Sequence, residues 1–143
     1  MQDSQFWNPL VPEISVTNFE KSLRFYTELC GFSVLFSRTE PAFAYLDQEG
    51  VQFMLEALQP DAWLTGELAV PFGRGINFQI RLDDIEPIYL RLKSVNTAFF
   101  RDIQTNWYAA DGLLVGQKEF LVQDPDGYLL RFAQHAGERP LLA

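Results

Sequence analysis

Apolar and polar positions alternate most regularly between Ile76 and Leu82. Ile76, Phe78, Ile80 and Leu82 fall on one side and Asn77, Gln79 and Arg81 on the other, which predicts a strand with one buried face. The same period of two appears earlier in Val11–Val16, with Ile14 and Val16 on one face and Glu13 and Ser15 on the other. Helical spacing follows that earlier strand: Phe19, Leu23, Tyr26 and Leu29-Cys30 predict a helix over Phe19–Cys30, capped by Thr17-Asn18 and stopped by Gly31. Strands are then predicted at Phe32–Ser37, Phe43–Leu46 and Val51–Ala57, separated by turns at Glu40-Pro41 and Gln48-Glu49-Gly50. Residues 1–10 read as an irregular arm pinned by Phe6 and Trp7.

Residues 58–75 carry two prolines and three glycines without a sustained period, and read as a connection. After them the pattern restarts. The strand at Ile76–Leu82 precedes a helix over Ile85–Val95, with Asp83-Asp84 as cap and Pro87 in its first turn. Thr97–Arg101 reads as a strand and Asp102–Gly116 as a long loop carrying Trp107 and Tyr108. A hairpin over Gln117–Gln134 closes the set around Asp124-Pro125-Asp126-Gly127. Proline presets φ in that turn, aspartates bond local backbone, and glycine tolerates the closing conformation.

Strand, helix and three strands therefore occur twice. Asn77 and Val11, like Glu86 and Glu20, are separated by 66 residues. The expected class is α+β, one domain over residues 1–143 built of two βαβββ modules at about 11–67 and 76–134. Each module has one amphipathic helix and a sheet with one apolar face, so the helices cover one side only. The polar side is left for a partner half or subunit, and a homodimer is expected.

Composition narrows the function. At 143 residues, 48% hydrophobic and without biased tracts, the chain is expected to fold as a soluble protein. No apolar run approaches a membrane span, and MQDSQFW lacks the layout of a signal peptide. Cys30 is the only cysteine, which rules out an intrachain disulfide and makes a cytoplasmic location the expectation. A net charge of −8 disfavours nucleic acid and anionic membranes and suits a cationic ligand. Thirteen phenylalanines supply rings for a binding surface as well as a core. No serine or cysteine lies in a recognisable nucleophile motif, so no catalytic residue is assigned.

VPEISVTNFEKSLRFYTELCGF near the start and DPDGYLLRF near the end, together with the repeat, resemble the vicinal oxygen chelate superfamily. That group contains glyoxalase I, extradiol dioxygenases, fosfomycin-resistance enzymes and bleomycin-resistance proteins. INFQIRLDDIEPIYLRLKSV and FFRDI look most like the bleomycin-resistance branch. The resemblance implies a concave mixed sheet with helices on its outer face, and a dimer sharing two ligand crevices. In metal-dependent members the ligand positions correspond to Val11, Glu56, Asn77 and Arg131 here. Only Glu56 among these is a firm ligand, and His135 is the sole histidine, so no metal and no other cofactor is expected.

Alternation puts Val11, Glu13, Ser15, Met54, Glu56, Asn77, Gln79, Arg81 and Arg131 on the surface opposite the helices. Glu13 and Glu56, if both face the concavity, could form an acid/base pair; the resemblance implies instead that they bind ligand or pair with Arg81 or Arg131. The resemblance implies ring stacking by Phe43, with Tyr45 two residues on. The branch's second stacking residue, a tryptophan, is replaced by Val115-Gly116, with Trp107 and Tyr108 as candidate substitutes. Trp63, in the connecting segment, either lines the crevice or plugs the surface. The implied function is non-catalytic sequestration of a small molecule, of which a cationic glycopeptide antibiotic is the implied example. The alternatives are a metal-dependent enzyme of the superfamily and a module with a vestigial crevice.

Overall fold

The structure, a computed structural model, describes residues 7–141. Phe6, one of the two expected pins of the N-terminal arm, lies outside them. The chain divides into two compact units, through Leu68 and from Ala69 onward. Among the described residues no helix is long and apolar enough to cross a membrane.

The first unit runs β1 (Glu13–Val16), α1 (Phe19–Arg24), a π-helical turn (Phe25–Leu29), β2 (Ser33–Thr39), β3 (Ala42–Gln48) and β4 (Val51–Ala57). Its sheet order is β1-β4-β3-β2, with β1 and β4 parallel. Asn18 caps α1 as expected, its side-chain oxygen accepting from Lys21 N–H at 3.1 Å. The expected helix continues only as a π turn, in which Cys30 N–H donates to the Phe25 carbonyl at 3.0 Å. β1 starts two residues later than expected because Pro12 has no N–H for the ladder, although its carbonyl accepts from Met54 N–H at 2.8 Å. Val11 therefore precedes the strand.

α1 packs on β3 and β4. Ile14, Val16, Ala44, Leu46, Phe53 and Leu55 are buried there with Tyr26, Cys30 and Phe32. Tyr26 and Phe32 meet Phe53 with ring centroids 6.0 and 5.7 Å away. The opposite face carries the cross-strand sets Glu13–Met54, Ser15–Glu56, Phe43–Glu56 and Phe36–Tyr45.

The second unit repeats the order: β5 (Asn77–Arg81), α2 (Glu86–Ser94), β6 (Phe99–Ala110), β7 (Leu113–Gln123) and β8 (Leu129–Pro140). Its sheet reads β5-β8-β7-β6, the same topology. Asp84, as expected, accepts from Glu86 N–H at 3.0 Å at the start of α2. Ile85, Ile88 and Leu92 are buried, and Tyr89 packs on Phe99 and Phe120 at 5.0 and 5.4 Å.

Two expectations fail here. The loop assigned to Asp102–Gly116 is a second hairpin, with Trp107 and Tyr108 inside β6. Asp111-Gly112 makes its two-residue turn, with φ of 53° and 81°, the pair of positive values that a type I′ turn requires. His135, which the expected hairpin over Gln117–Gln134 leaves just outside, lies within β8 opposite Gln117 and is exposed.

The Asp124–Gly127 turn is built as its residues imply. Asp124 is buried, and its Oδ1 accepts from Asp126 N–H and Tyr128 N–H at 2.9 Å each. The start of the unit packs on this turn: Phe72 N–H donates to the Asp126 carbonyl at 2.9 Å, and Phe72 meets Tyr128 edge-on at 5.9 Å. At Gly127, φ is 102° and an added Cβ would lie 2.6 Å from Pro71 Cα.

Gly127→Ala therefore combines left-handed strain with a backbone collision, and Gly112→Ala carries strain alone, since nothing lies within 4 Å of that site. The expected costs are about 3 kcal/mol and about 1 kcal/mol, read as the shift in urea-unfolding free energy. Equal costs would show that the packing against Pro71 is dispensable.

Candidate functional site

β6, β7 and β8 bring polar side chains to the face of the second sheet opposite α2. Glu119 is at its centre, with its side chain only 3% exposed. Its register neighbours set the company it keeps. Leu121 faces Arg131, so Glu119 lies diagonal to that arginine, and Asn106 and Gln117 are paired on the adjoining strands. Arg131 Nε donates to Glu119 Oε1 at 2.7 Å, and Gln117 Nε2 donates to the same oxygen at 2.7 Å. Asn106 Nδ2 donates to Oε2 at 2.7 Å, and the Tyr108 hydroxyl makes a very short bond to Oε2.

These contacts fix the protonation of the group. Burial raises the Glu119 carboxyl, but the bonds from Arg131, Tyr108, Gln117 and Asn106 outweigh it and hold the pKa at about 2. The bond to Glu119, with burial and the negative charge beside it, pushes the Tyr108 phenol up, so its proton stays on. Arg131, held by Glu119, is pushed further up and remains a fixed cation.

A cavity of about 440 Å³ opens over this network. Asn77, Arg101 and Gln104 add polar groups to its wall, and Phe100, Leu121 and Leu129 add apolar ones. Of the expected residues, Asn77, Tyr108 and Arg131 meet here. Gln79 adjoins them through Gln117 Nε2, which donates to its Oε1 at 3.1 Å. Arg81 is exposed at the end of β5 and is not part of the wall.

Trp107 and Tyr108 do not act together. As neighbours in a strand they point to opposite faces. Tyr108 reaches the cavity, 42% exposed, while Trp107 lies across from Gly116 with Arg139 stacked on its ring at 3.7 Å. Any Cβ at Gly116 would sit 2.8 Å from the indole. Trp107 is thus withdrawn from the candidate site.

The first unit has its own recess, about 390 Å³, lined by Glu13, Glu56, Gln59, Asp61 and Trp63 among others. Trp63 is 97% exposed, so it forms a rim and not a plug. Burial raises the Glu13 carboxyl, Glu56 raises it further, and Arg38 opposes both. Phe43 is only 3% exposed, with the Arg38 guanidinium 4.4 Å above its ring. Tyr45 is buried too, its hydroxyl donating to Gln52 Oε1 at 2.6 Å.

The metal positions implied by the resemblance do not suit a divalent ion. At Arg131 stands a cation already engaged by a carboxylate, Val11 offers no donor, and Asn77 is a weak oxygen ligand. Among the described residues no three His, Cys, Asp or Glu side chains cluster for a metal. The carboxylate paired with Arg131 is Glu119, not Glu13 or Glu56 as sequence reasoning anticipated. Glu119, Asn106 and Gln117 were missed, although a glutamate leading directly into the apolar run Phe120–Val122 is itself a signal.

No curated protein matches the chain. Among solved structures, a superfamily member from Vibrio splendidus 12B01 is 33% identical, covering 87% of this chain and 95% of that one with a TM-score of 0.40. A glyoxalase/bleomycin resistance protein/dioxygenase from Alicyclobacillus acidocaldarius is 20% identical over 91% and 92%, with a TM-score of 0.63. The fosfomycin resistance protein FosX from Listeria monocytogenes is 9% identical over 92% and 96%, with a TM-score of 0.60. The last two share the fold. The sequence pattern of the glyoxalase/bleomycin resistance protein/dioxygenase superfamily matches residues 9–132, and with the twice-repeated βαβββ topology the chain belongs to that superfamily.

Proposed function

We propose that the protein is a non-catalytic binding member of its superfamily, a homodimer that sequesters a small cationic molecule bearing planar rings. The observation that carries this reading is the Glu119–Arg131 pair. It puts a neutralised, hydrogen-bonded ion pair where a metal-dependent relative needs an anionic ligand. Four donors already fill the Glu119 carboxylate, which leaves it no role as a general base at neutral pH. What such a network offers is a rigid polar floor beneath apolar walls, the composition of a binding cavity. Asn77, Gln79, Tyr108 and Arg131 are assigned to ligand hydrogen bonding, and Arg81 is retained only as a rim charge. In the first unit, taken by itself, Glu13 and Glu56 are assigned to binding positive charge, and Phe43 and Tyr45 to binding planar rings. Phe43 has to shed Arg38 before a ring stacks on it. The acidic balance of −8 favours capture of a cation chiefly through the association rate.

A thermal-shift screen tests the reading. Bleomycin, with and without copper, or another cationic aromatic ligand is expected to raise Tm by several degrees, since a hundredfold excess over Kd stabilises by about 2.7 kcal/mol. Nickel, zinc, manganese and iron alone are expected to leave Tm unchanged. A saturable metal response lost in Glu56→Gln would overturn the reading in favour of the metal-dependent enzyme.

Dimerisation is supported by the edge strands β2 and β6, each with a ladder side that a second copy can cover. Light scattering at micromolar concentration is expected to give twice the chain mass of 16.4 kDa. A stable monomer would remove this part of the proposal.

The Glu119 network also predicts a pH signature. Its folded pKa lies below the ordinary 4.5, so its stabilisation is complete above that value and is lost as pH falls towards about 2. Glu119→Gln is expected to cost about 2 kcal/mol at pH 7, with the gap from wild type closing between these two pH values. A gap that stays constant down to pH 2 would show that the network does not hold the charge.

A further inference from the structure

Phe36 and Tyr45 face one another across β2 and β3, their rings stacked at 5.4 Å and 19°. Trp7 meets both edge-on, at 5.7 Å from Phe36 and 4.9 Å from Tyr45. The segment carrying Trp7 is fastened at the next residue. Asn8 N–H donates to Gln52 Oε1 at 2.9 Å, and Asn8 Nδ2 donates to the Gly50 carbonyl at 2.7 Å. Gln52 Oε1 is also the acceptor for the Tyr45 hydroxyl. One amide oxygen thus holds both the aromatic face and the strap that crosses it.

The strap is a poor structural plug. Trp7 remains 50% exposed although it is the largest side chain type, and Phe36 beneath it is still 38% exposed. A core tryptophan would be covered, whereas a half-covered indole held by two hydrogen bonds at its neighbour opens at low cost. When it opens, it uncovers two rings stacked on each other, which another planar ring can meet edge-on as the indole does.

We propose that Trp7 is a tethered competitor, whose indole occupies the Phe36–Tyr45 face and is displaced by a planar cationic heteroaromatic ring. The proposal rests on the binding reading above and adds a gate to it. A ligand must then bind against the closed strap, and its apparent affinity falls by the fraction of molecules in which the face is open. In the exchange one ring replaces another on the same aromatic pair.

The probe is thioflavin T, a planar benzothiazole cation whose fluorescence rises when it is held rigid. Trp7→Ala is expected to bind it about tenfold tighter than wild type, for a strap closed in roughly nine molecules of ten. Asn8→Ala, which removes the bond to Gly50, is expected to bind a few-fold tighter. Adding Phe36→Ala to Trp7→Ala is expected to remove the gain, with urea unfolding confirming that each variant is folded. Equal or weaker binding by Trp7→Ala, a gain that survives Phe36→Ala, or no dye binding by any variant would each overturn the strap. A ligand from the thermal-shift screen whose Kd is unchanged in Trp7→Ala would overturn it too, and leave the sequestering function standing. A screen without ligands beside a tighter-binding Trp7→Ala would do the reverse.

Discussion

A carboxylate removed from water must be compensated, and at Glu119 that requirement organises the second unit. Its four donors come from three strands: Asn106 and Tyr108 from β6, Gln117 from β7 and Arg131 from β8. Slipping β6 or β8 by one residue against β7 would turn its donors to the helix side and leave a buried charge with fewer bonds. The ion pair therefore does more for register than for net stability, because the desolvation of two charged groups offsets much of their attraction. The cavity floor inherits this rigidity. Under the proposed function a ligand would meet side chains already fixed, so little further ordering would oppose its binding.

The two units share a topology and use their open faces differently. In the second, the polar groups are satisfied by one another. In the first, rings dominate the β2–β3 side, and carboxylates gather by Glu13, Glu56 and Asp61. Both follow from one constraint: a helix covers only one side of each sheet, so the uncovered residues are free to diverge while the buried ones are not. Ile14, Leu46, Phe53 and Leu55 in the first unit correspond in register to Ile80, Val122, Leu130 and Phe132 in the second. The core preserves the repeat and the open faces carry the differences.

Much of this was legible before the structure. The period of two at Asn77–Arg81 and Glu13–Val16 placed the faces correctly, and Asp124-Pro125-Asp126-Gly127 identified its turn. The second hairpin was not recognised because Ala109-Ala110 and Leu113-Leu114 carry little alternation around the turn. Asp111-Gly112 alone was a sufficient signal. Recognising it would have placed Trp107 and Tyr108 on opposite faces and aligned Asn106 with Gln117. Counting back from the Asp124 turn would likewise have brought Glu119 diagonal to Arg131. What no pattern encodes is the reach of individual side chains, such as the exposed Arg38 lying over the Phe43 ring. Nor does alternation reveal that Trp7, in an irregular segment, returns to the sheet.

The indole of Trp107 fills the space in which a side chain at position 116 would stand, and Arg139 rests on its outer surface. Two residues on separate strands thus draw on a single allotment of volume. Over evolutionary time they are bound to change as a pair: a lineage that enlarges residue 116 must first shrink residue 107, passing through an intermediate that is hollow. Residue 139 then drifts once the ring is gone. Among descendants of a common ancestor, these three positions should record that order of events.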